Sequence, residues 1–448
     1  MDKLKIIGLN FSFLRATHYH INGGMLLMVV VLLAMIMANS PWGDAYASFW
    51  GQEVHLQIGG FNLFSHNGQH MTLMTFINDA LMTIFFFSVG LEIKREILVG
   101  ELSTFRQALL PIVAACGGMI VPVIIYYFMT AGTSAEGGLA IPMATDIAFS
   151  LGVLSLFGRR VPISLKIFLT AFAVVDDIGG ILVIALFYTT HLDVVFLLYS
   201  FGVLFFLCAG NFYHVNNRWY YLVLGLIMWY LFLQSGIHAT IAGVIVAFTI
   251  PASPNYKIGK YINHIKESIS IFPSNNKEGI ILDKIQINTL KSIESASDRV
   301  ISPLQSLEDS LHGMVNYVII PLFAFANAGV VLTASHGGIE VGTPTWAVMA
   351  GLVLGKFVGI YLFTWLTIKL KFAGMLKGMT WVNLMGICLL GGVGFTVSLF
   401  IANLSFVSDP ILLSQAKLGV LGGTVIAGIA GYMVLRFTLP KGVLELDE

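Results

Sequence analysis

Charge is scarce in this chain: of 448 residues only 24 are Lys or Arg and 24 are Asp or Glu, and the two signs cancel. Without a basic patch the chain has nothing to neutralise a phosphate backbone, which excludes nucleic acid as a natural partner. Cysteine is nearly missing too. Cys116, Cys208 and Cys388 lie in separate apolar stretches, so neither a disulfide framework nor a thiolate metal site is expected, and all three read as packing residues. Long polar stretches are also missing, apart from residues 251–312. What is abundant is apolar. Hydrophobic residues make up 57% of the chain, and many runs approach the ~20 residues needed to cross a hydrocarbon core. The chain reads as an integral membrane protein with the lipid bilayer as its first partner.

The first apolar run, about 23–39, follows Lys3, Lys5 and Arg15 as a signal peptide would. Ala38-Asn39-Ser40-Pro41-Trp42 lacks a small-x-small cleavage site and no soluble domain follows, so the run reads as a first transmembrane helix. Hydropathy places about twelve spans near 23–39, 73–92, 108–130, 138–156, 163–189, 192–212, 219–234, 236–250, 313–334, 344–368, 380–405 and 413–436. Basic residues fall in the amino terminus and in every second loop: Lys94, Arg95 and Arg106; Arg159, Arg160 and Lys166; Arg218; the 251–312 segment; Lys369, Lys371 and Lys377; and the tail. Both termini are therefore expected in the cytoplasm. Lys417, at the outer end of the last span, can snorkel to the interface. Lys356 lies too deep for that.

Spans three to five and ten to twelve would run with opposite topology, as an inverted repeat requires. In each triplet the middle span is interrupted, by Gly137, Gly138 and Pro142 with Thr145 and Asp146, and by Gly386, Gly391, Gly392 and Gly394. Paired Gly/Pro-interrupted spans are the best sequence pointer to a transporter's substrate site. Half-helix ends at mid-depth carry partial charges; Asp146 could balance the positive kind and Lys356 the negative. The expected fold is an all-α multi-pass membrane protein of about twelve transmembrane helices, with inverted-topology repeats and two interrupted, crossing helices, forming one domain over 1–448. Within it, outer loop 40–70 alternates apolar and polar residues around Gly59-Gly60, a β-hairpin signal. Residues 251–312 read as cytoplasmic amphipathic helices, with a helix start at Ser302-Pro303.

Asp176 and Asp177 stand side by side in the apolar run Ile167–Phe187. Each carboxylate at mid-depth costs roughly 2.5 to 3.5 kcal/mol, about 5 to 7 for the pair, so folding alone does not explain them. A carboxylate can hold a small hard cation or a proton, but not both. Adjacent helical residues point about 100° apart, so one can line an ion path while the other meets a partner. Lys356 needs a counter-charge, and Asp176 is the expected one.

Several segments resemble the NhaA-type bacterial Na+/H+ antiporters over nearly the whole chain. Ala144-Thr145-Asp146-Ile147-Ala148-Phe149-Ser150 looks like that family's unwound fourth helix, and Val174-Val175-Asp176-Asp177-Ile178-Gly179 like its ion-binding fifth. Gly392-Val393-Gly394-Phe395-Thr396 is similar to the unwound eleventh, Gly355-Lys356 to the tenth-helix lysine, and Ser235-Gly236-Ile237-His238 to the eighth. The resemblance implies electrogenic exchange of cytoplasmic Na+ or Li+ for entering H+, serving pH and sodium homeostasis, by alternating access. It implies Asp177 as principal cation ligand, Asp176 exchanging protons and pairing with Lys356, and Thr145 and Asp146 at the helix crossing. It further implies no cofactor beyond the transported ions, a homodimer, and the bacterial inner (plasma) membrane.

The family's pH-responsive charge cluster is matched by Glu92, Arg95 and Glu96, and by Glu308 and His312. Gln305, Ser306 and Asp309 depart from its pattern, and the preceding loop is longer. His238 joins the candidates, although a hydrogen-bonded packing histidine is the commoner occupant of an apolar helix. Asp79, near the outer end of the second span, is read as facing water. Two alternatives stand beside the antiporter: a passive cation channel, and an intramembrane aspartyl protease, which would show a Gly-x-Gly-Asp signature absent here and have no use for Lys356. A retinal-type pump, with a helix lysine and an aspartate counter-ion, is set aside because twelve spans and an inverted repeat argue against it.

Overall fold

Each backbone N–H or C=O left unpaired in hydrocarbon costs several kcal/mol, so apolar runs of this length close their hydrogen bonds internally and become helices. The protein is described from a computed structural model covering residues 23–54, 57–58, 61–62, 65–66, 69–189, 192–253, 258–270, 284–331, 341–376 and 378–440. Among the described residues seven helices are long and apolar enough to cross a membrane: Leu73–Val99, Phe105–Thr130, Ile163–Phe187, Val194–Phe212, Pro303–Asn327, Thr343–Lys369 and Pro410–Thr438. Three bent pairs bring the number to as many as ten: Gly23–Ala38 with Gly43–Trp50 at 112°, Ser134–Met143 with Ile147–Ser155 at 46°, and Trp381–Leu390 with Phe395–Ser405 at 42°. Arg218–Ser235 and Ala239–Thr249 occupy two further expected positions. The latter has 11 residues, about 16 Å of helix, which is shorter than the hydrocarbon core. The chain is a helical multi-pass membrane protein.

The two interruptions read from glycine and proline are present as breaks of the second and third bent pairs. The sharp turn after Ala38 was not anticipated. There Ser40 Oγ donates to the Met37 carbonyl at 2.8 Å and accepts from Trp42 N at 3.2 Å, and Pro41 withholds a donor. Three long spans also contain a wider π-turn: Ile77–Leu81, Val315–Ile319 and Gly351–Gly355. The last ends immediately before Lys356 and so sets the direction in which that side chain leaves its helix.

Glycine brings several pairs of helices into backbone contact, one of them beside Lys356. A Cβ placed on Gly359 would lie 2.1 Å from the Gly117 carbonyl oxygen, and one on Gly117 would lie 2.4 Å from that of Gly359. Helices Phe105–Thr130 and Thr343–Lys369 therefore touch without side chains between them, one turn from Lys356. Outside the spans, Gln57–Ile58 pairs antiparallel with Phe61–Asn62, and Ser65–His66 with Gln69–His70. The Gly59-Gly60 turn itself falls outside the described residues. In the 251–312 stretch, Ile258–Ser270 and Lys284–Val300 pack on each other. Ser302 then caps the next helix, its Oγ accepting from Gln305 N at 3.2 Å.

Candidate functional site

A helix broken inside a membrane strands backbone donors at one stump and acceptors at the other. Here the two breaks satisfy each other. Asp146 caps helix Ile147–Ser155, Oδ1 accepting from Phe149 N at 2.9 Å. Its Oδ2 accepts from Thr396 N at 3.1 Å and Thr396 Oγ1 at 2.7 Å, at the start of Phe395–Ser405. One carboxylate thus faces two helix amino termini, whose partial positive charges favour an anion. The Asp146 amide in turn donates to the Val393 carbonyl at 2.6 Å. Hydroxyls serve the opposite stumps. Thr145 donates to Gly391 O, Ser150 to Leu390 O, and Ser398 to Ile141 O, at 2.8, 2.8 and 2.7 Å.

Lys356 was expected to balance those carbonyl ends, and it does not. Its Nζ donates to Asp176 Oδ2 at 2.7 Å and Thr145 Oγ1 at 2.9 Å, with both members of the ion pair at 0% side-chain exposure. Short hydroxyls reach the carbonyls, and the ammonium is left for a full counter-charge. The Phe172 ring closes one side, its centroid 5.5 Å from Nζ.

The neighbouring aspartates point apart. Asp176 Oδ1 is buried without a hydrogen-bond partner. Asp177 lines a cavity of about 380 Å³ together with Thr145, Asp146, Thr396, Glu92 and His312; neither Asp176 nor Lys356 lines it. The three buried carboxylates are therefore compensated unequally. Asp146 has two helix termini and Asp176 has Lys356. Asp177 forms no hydrogen bond or ion pair among the described residues. An ionised carboxylate that is buried and unpaired is strongly disfavoured, which sets Asp177 apart from the other two.

Near the cavity-lining Glu92, Arg95 binds Glu308 through Nε at 2.8 Å and Glu96 through Nη1 at 2.9 Å. Glu96 Oε2 accepts from Glu101 N at 3.0 Å, and Asn316 Nδ2 lies 3.1 Å from a His312 ring nitrogen. Glu92 interacts electrostatically with Arg95, Glu308 and Glu96, and Glu92 and His312 both line the cavity. His238 is not among them. It precedes Ala239–Thr249, whose other end is held at the Phe248 and Ile250 carbonyls by Lys94, and its ring meets the Tyr188 backbone. An eleven-residue helix separates it from the cluster. Gly392 serves close packing: a Cβ there would lie 2.3 Å from the Leu352 carbonyl. Gly394 ends the second break, next to the Thr396 donors. Sequence reasoning did not assign roles to Ser150, Ser398 or the Thr396 side chain; a hydroxyl within two turns of each predicted break was the available signal.

Apolar helices of membrane-spanning length, two interrupted spans bonded to each other and a buried lysine–aspartate pair beside a carboxylate-lined cavity define a polytopic membrane protein that handles small cations or protons. The chain belongs to the Na+/H+ antiporter 1 family, whose model matches residues 14–435; this is a family of transporters, not enzymes, and the protease alternative falls with it. The chain is 78% identical over 441 residues to the Na(+)/H(+) antiporter NhaA of Phocaeicola vulgatus, covering 98% of this chain and 99% of that protein. It is 60% identical over 426 residues to the NhaA of Bacteroides thetaiotaomicron, covering 94% and 96%. With the NhaA of Helicobacter pylori it shares 44% over 421 residues, covering 94% and 93%.

Proposed function

We propose that this chain expels Na+ or Li+ from the bacterial cytoplasm in exchange for entering H+, with cation and proton competing for Asp177. The observation that carries the reading is the unequal compensation of Asp146, Asp176 and Asp177: of these three, Asp177 alone has no hydrogen-bond or ion-pair partner among the described residues, and it faces the cavity. Carboxylate oxygens suit a small hard cation, and the orphaned Asp176 Oδ1 offers another such ligand nearby. Thr145 holds the Lys356 ammonium in place. Protonating Asp176 removes the attraction that holds Lys356, so the pair supplies a second proton-exchange step beside the cation step. Two proton steps against one cation make the exchange electrogenic.

Alternating access uses the breaks at 144–146 and 391–394. The Asp146 amide bonds across to Val393 O, and the Thr145, Asp146 and Thr396 side chains reach the other break, so the two half-helices of each span can pivot without an unbroken run of helical bonds between them. The reading includes twelve spans in an inverted repeat with the two broken spans crossing, both termini in the cytoplasm, and the cavity opening inward. Glu92, Arg95, Glu96, Glu308 and His312 then form a charge cluster at the cytoplasmic mouth that adjusts the exchanger to pH, which gives the protein its part in pH and sodium homeostasis. The paired strands of 57–70 supply an edge for homodimer formation.

The test is Na+-induced collapse of a preformed pH gradient in inside-out membrane vesicles, wild type beside Asp177→Asn, from pH 6.5 to 8.5. Sodium-dependent proton efflux that vanishes in the variant supports coupled exchange at this site. Na+ entry without proton movement would make the protein a cation channel.

A further inference from the structure

The helix that carries Asp176 and Asp177 ends at an aromatic residue that the exchange described above does not use. Tyr188 follows Ile163–Phe187 directly, eleven residues past Asp177, or about 16 Å along a helix axis. A tyrosine at the end of a membrane span ordinarily turns its hydroxyl toward the headgroups and water. This one turns its hydroxyl onto both broken spans, on the side of the breaks away from the cavity. Of the first broken span, the cavity is lined by Thr145 and Asp146 and by Ile147, Ala148, Leu151 and Ser155 beyond them, and by no residue of Ser134–Met143. Of Phe395–Ser405 it is lined by Thr396 and Val397 alone, at the start of that half-helix. Ser134–Met143 and the end of Phe395–Ser405 therefore make up the far halves of the two broken spans.

Tyr188 Oη donates to the Gly137 carbonyl at 3.1 Å and lies 2.8 Å from Ser405 Oγ. The Ala140 amide faces the same phenol oxygen, and Ser405 Oγ also reaches its own Ile401 carbonyl at 2.8 Å. A Cβ placed on Gly137 would lie 3.7 Å from the Ser405 carbonyl oxygen. The far halves of the two broken spans thus stand side by side, and one phenol oxygen bonds both. Other bonds tie these halves to helices that carry neither Asp176 nor Asp177. Tyr126 Oη, on Phe105–Thr130, donates to the Ala135 carbonyl at 2.8 Å. Asn403 Nδ2 donates to Asn327 Oδ1 at 2.8 Å, and Asn327 Nδ2 donates to Asn78 Oδ1 at 2.8 Å. Tyr188 adds the link to the helix of Asp177.

The three elements that build the site therefore meet twice. At the breaks they meet through Asp146 and Thr396 and through Thr145, Lys356 and Asp176; at their far ends they meet through Tyr188. We infer that Tyr188 is a positioning residue for the exchange: its hydroxyl holds the far halves of both broken spans against the Asp177 helix while the cavity is open, and releases them when the path opens on the other side. The inference rests on the exchange proposed above. A path from Asp177 that passes between these three ends must part Gly137 and Ser405 from the phenol. The hydroxyl then stabilises the cavity-open conformation and not the other, so removing it moves population toward the other. One net hydrogen bond corresponds to a shift of about fivefold in that equilibrium.

The test measures the half-saturating Na+ concentration at each membrane face, in inside-out and right-side-out vesicles, for wild type, Tyr188→Phe, Ser405→Ala and the double variant. Apparent affinity at a face scales with the fraction of protein open to it, so the ratio of the two constants, far face over cavity face, follows the conformational equilibrium. Tyr188→Phe keeps the ring and should lower that ratio about fivefold, the far-face constant falling and the cavity-face constant rising. Ser405→Ala should lower it by less, and the double variant no further than Tyr188→Phe alone. An unchanged or raised ratio overturns the inference; accompanied by a lower unfolding temperature or a lower maximal rate, it marks a tyrosine that only supports the fold. If Tyr188→Phe does not fold, Ser405→Ala decides: a lowered ratio supports the inference and an unchanged one overturns it. No exchange in wild type overturns the proposed function and this inference with it, whereas wild-type exchange with an unchanged ratio in the variants overturns this inference alone.

Discussion

Removing one member of the Lys356–Asp176 pair should be far more damaging than removing both. At 2.7 Å and complete burial, an effective dielectric of about 20 gives an attraction of about 6 kcal/mol. Desolvating the two ions opposes it by several kcal/mol each, so the pair as a whole contributes little net stability. Lys356→Met alone leaves an uncompensated buried carboxylate, and Asp176→Asn alone an uncompensated ammonium; each should destabilise by about 3–5 kcal/mol. The double variant leaves neither, and it should recover most of that loss. The assay is a double-mutant cycle of denaturant unfolding on purified protein, with sodium-dependent exchange followed in parallel. The expected coupling is several kcal/mol in stability, with exchange lost in the double variant despite the recovered fold. Single effects that add to within about 0.5 kcal/mol would show that the two groups do not act on each other and would refute the reasoning.

Three further outcomes follow from the geometry. Gly359→Ala drives a methyl group into the Gly117 carbonyl and should destabilise by about 1–3 kcal/mol, read as a lower unfolding midpoint; an unchanged midpoint would mean that the two helices do not touch there. Thr396→Val deletes the 2.7 Å hydroxyl bond to Asp146, and since bonds to charged groups contribute about 1.5–3 kcal/mol, unfolding should shift by that order. Arg95→Gln removes a bridge that is partly open to water, with side-chain exposures of 34% and 18% for Arg95 and Glu308; the loss should stay under about 1 kcal/mol and disappear at high salt.

How far the sequence could be read follows from what each feature costs. Asp176, Asp177 and Lys356 were legible because charges inside apolar runs are rare and unfavourable, and even the pairing of Lys356 with Asp176 follows from the need for a counter-charge. The breaks were legible because Gly137, Gly138, Pro142 and Gly391–Gly394 cannot sustain a regular helix. The partners that stabilise the broken ends were not. Hydroxyls at Ser150, Thr396 and Ser398 look like ordinary polar residues until the second break is brought against the first. The π-turns have no compositional signature, since one extra residue in a turn changes direction without changing hydropathy. Asn78, Asn327 and Asn403, 249 and 76 positions apart, gave no sign of a common chain. His238 was grouped with the charge cluster on residue type, and helix length then separated them.

The most direct test of competition at Asp177 is the number of protons released when Na+ binds. Purified protein in weakly buffered detergent solution is titrated with NaCl while a pH indicator reports release, with Asp177→Asn alongside. Proton release saturating with Na+, an apparent affinity that falls about tenfold per pH unit once the site is protonated, and silence in the variant are the predicted results. Saturable Na+ binding with no proton release at any pH, or release undiminished in Asp177→Asn, would contradict the account.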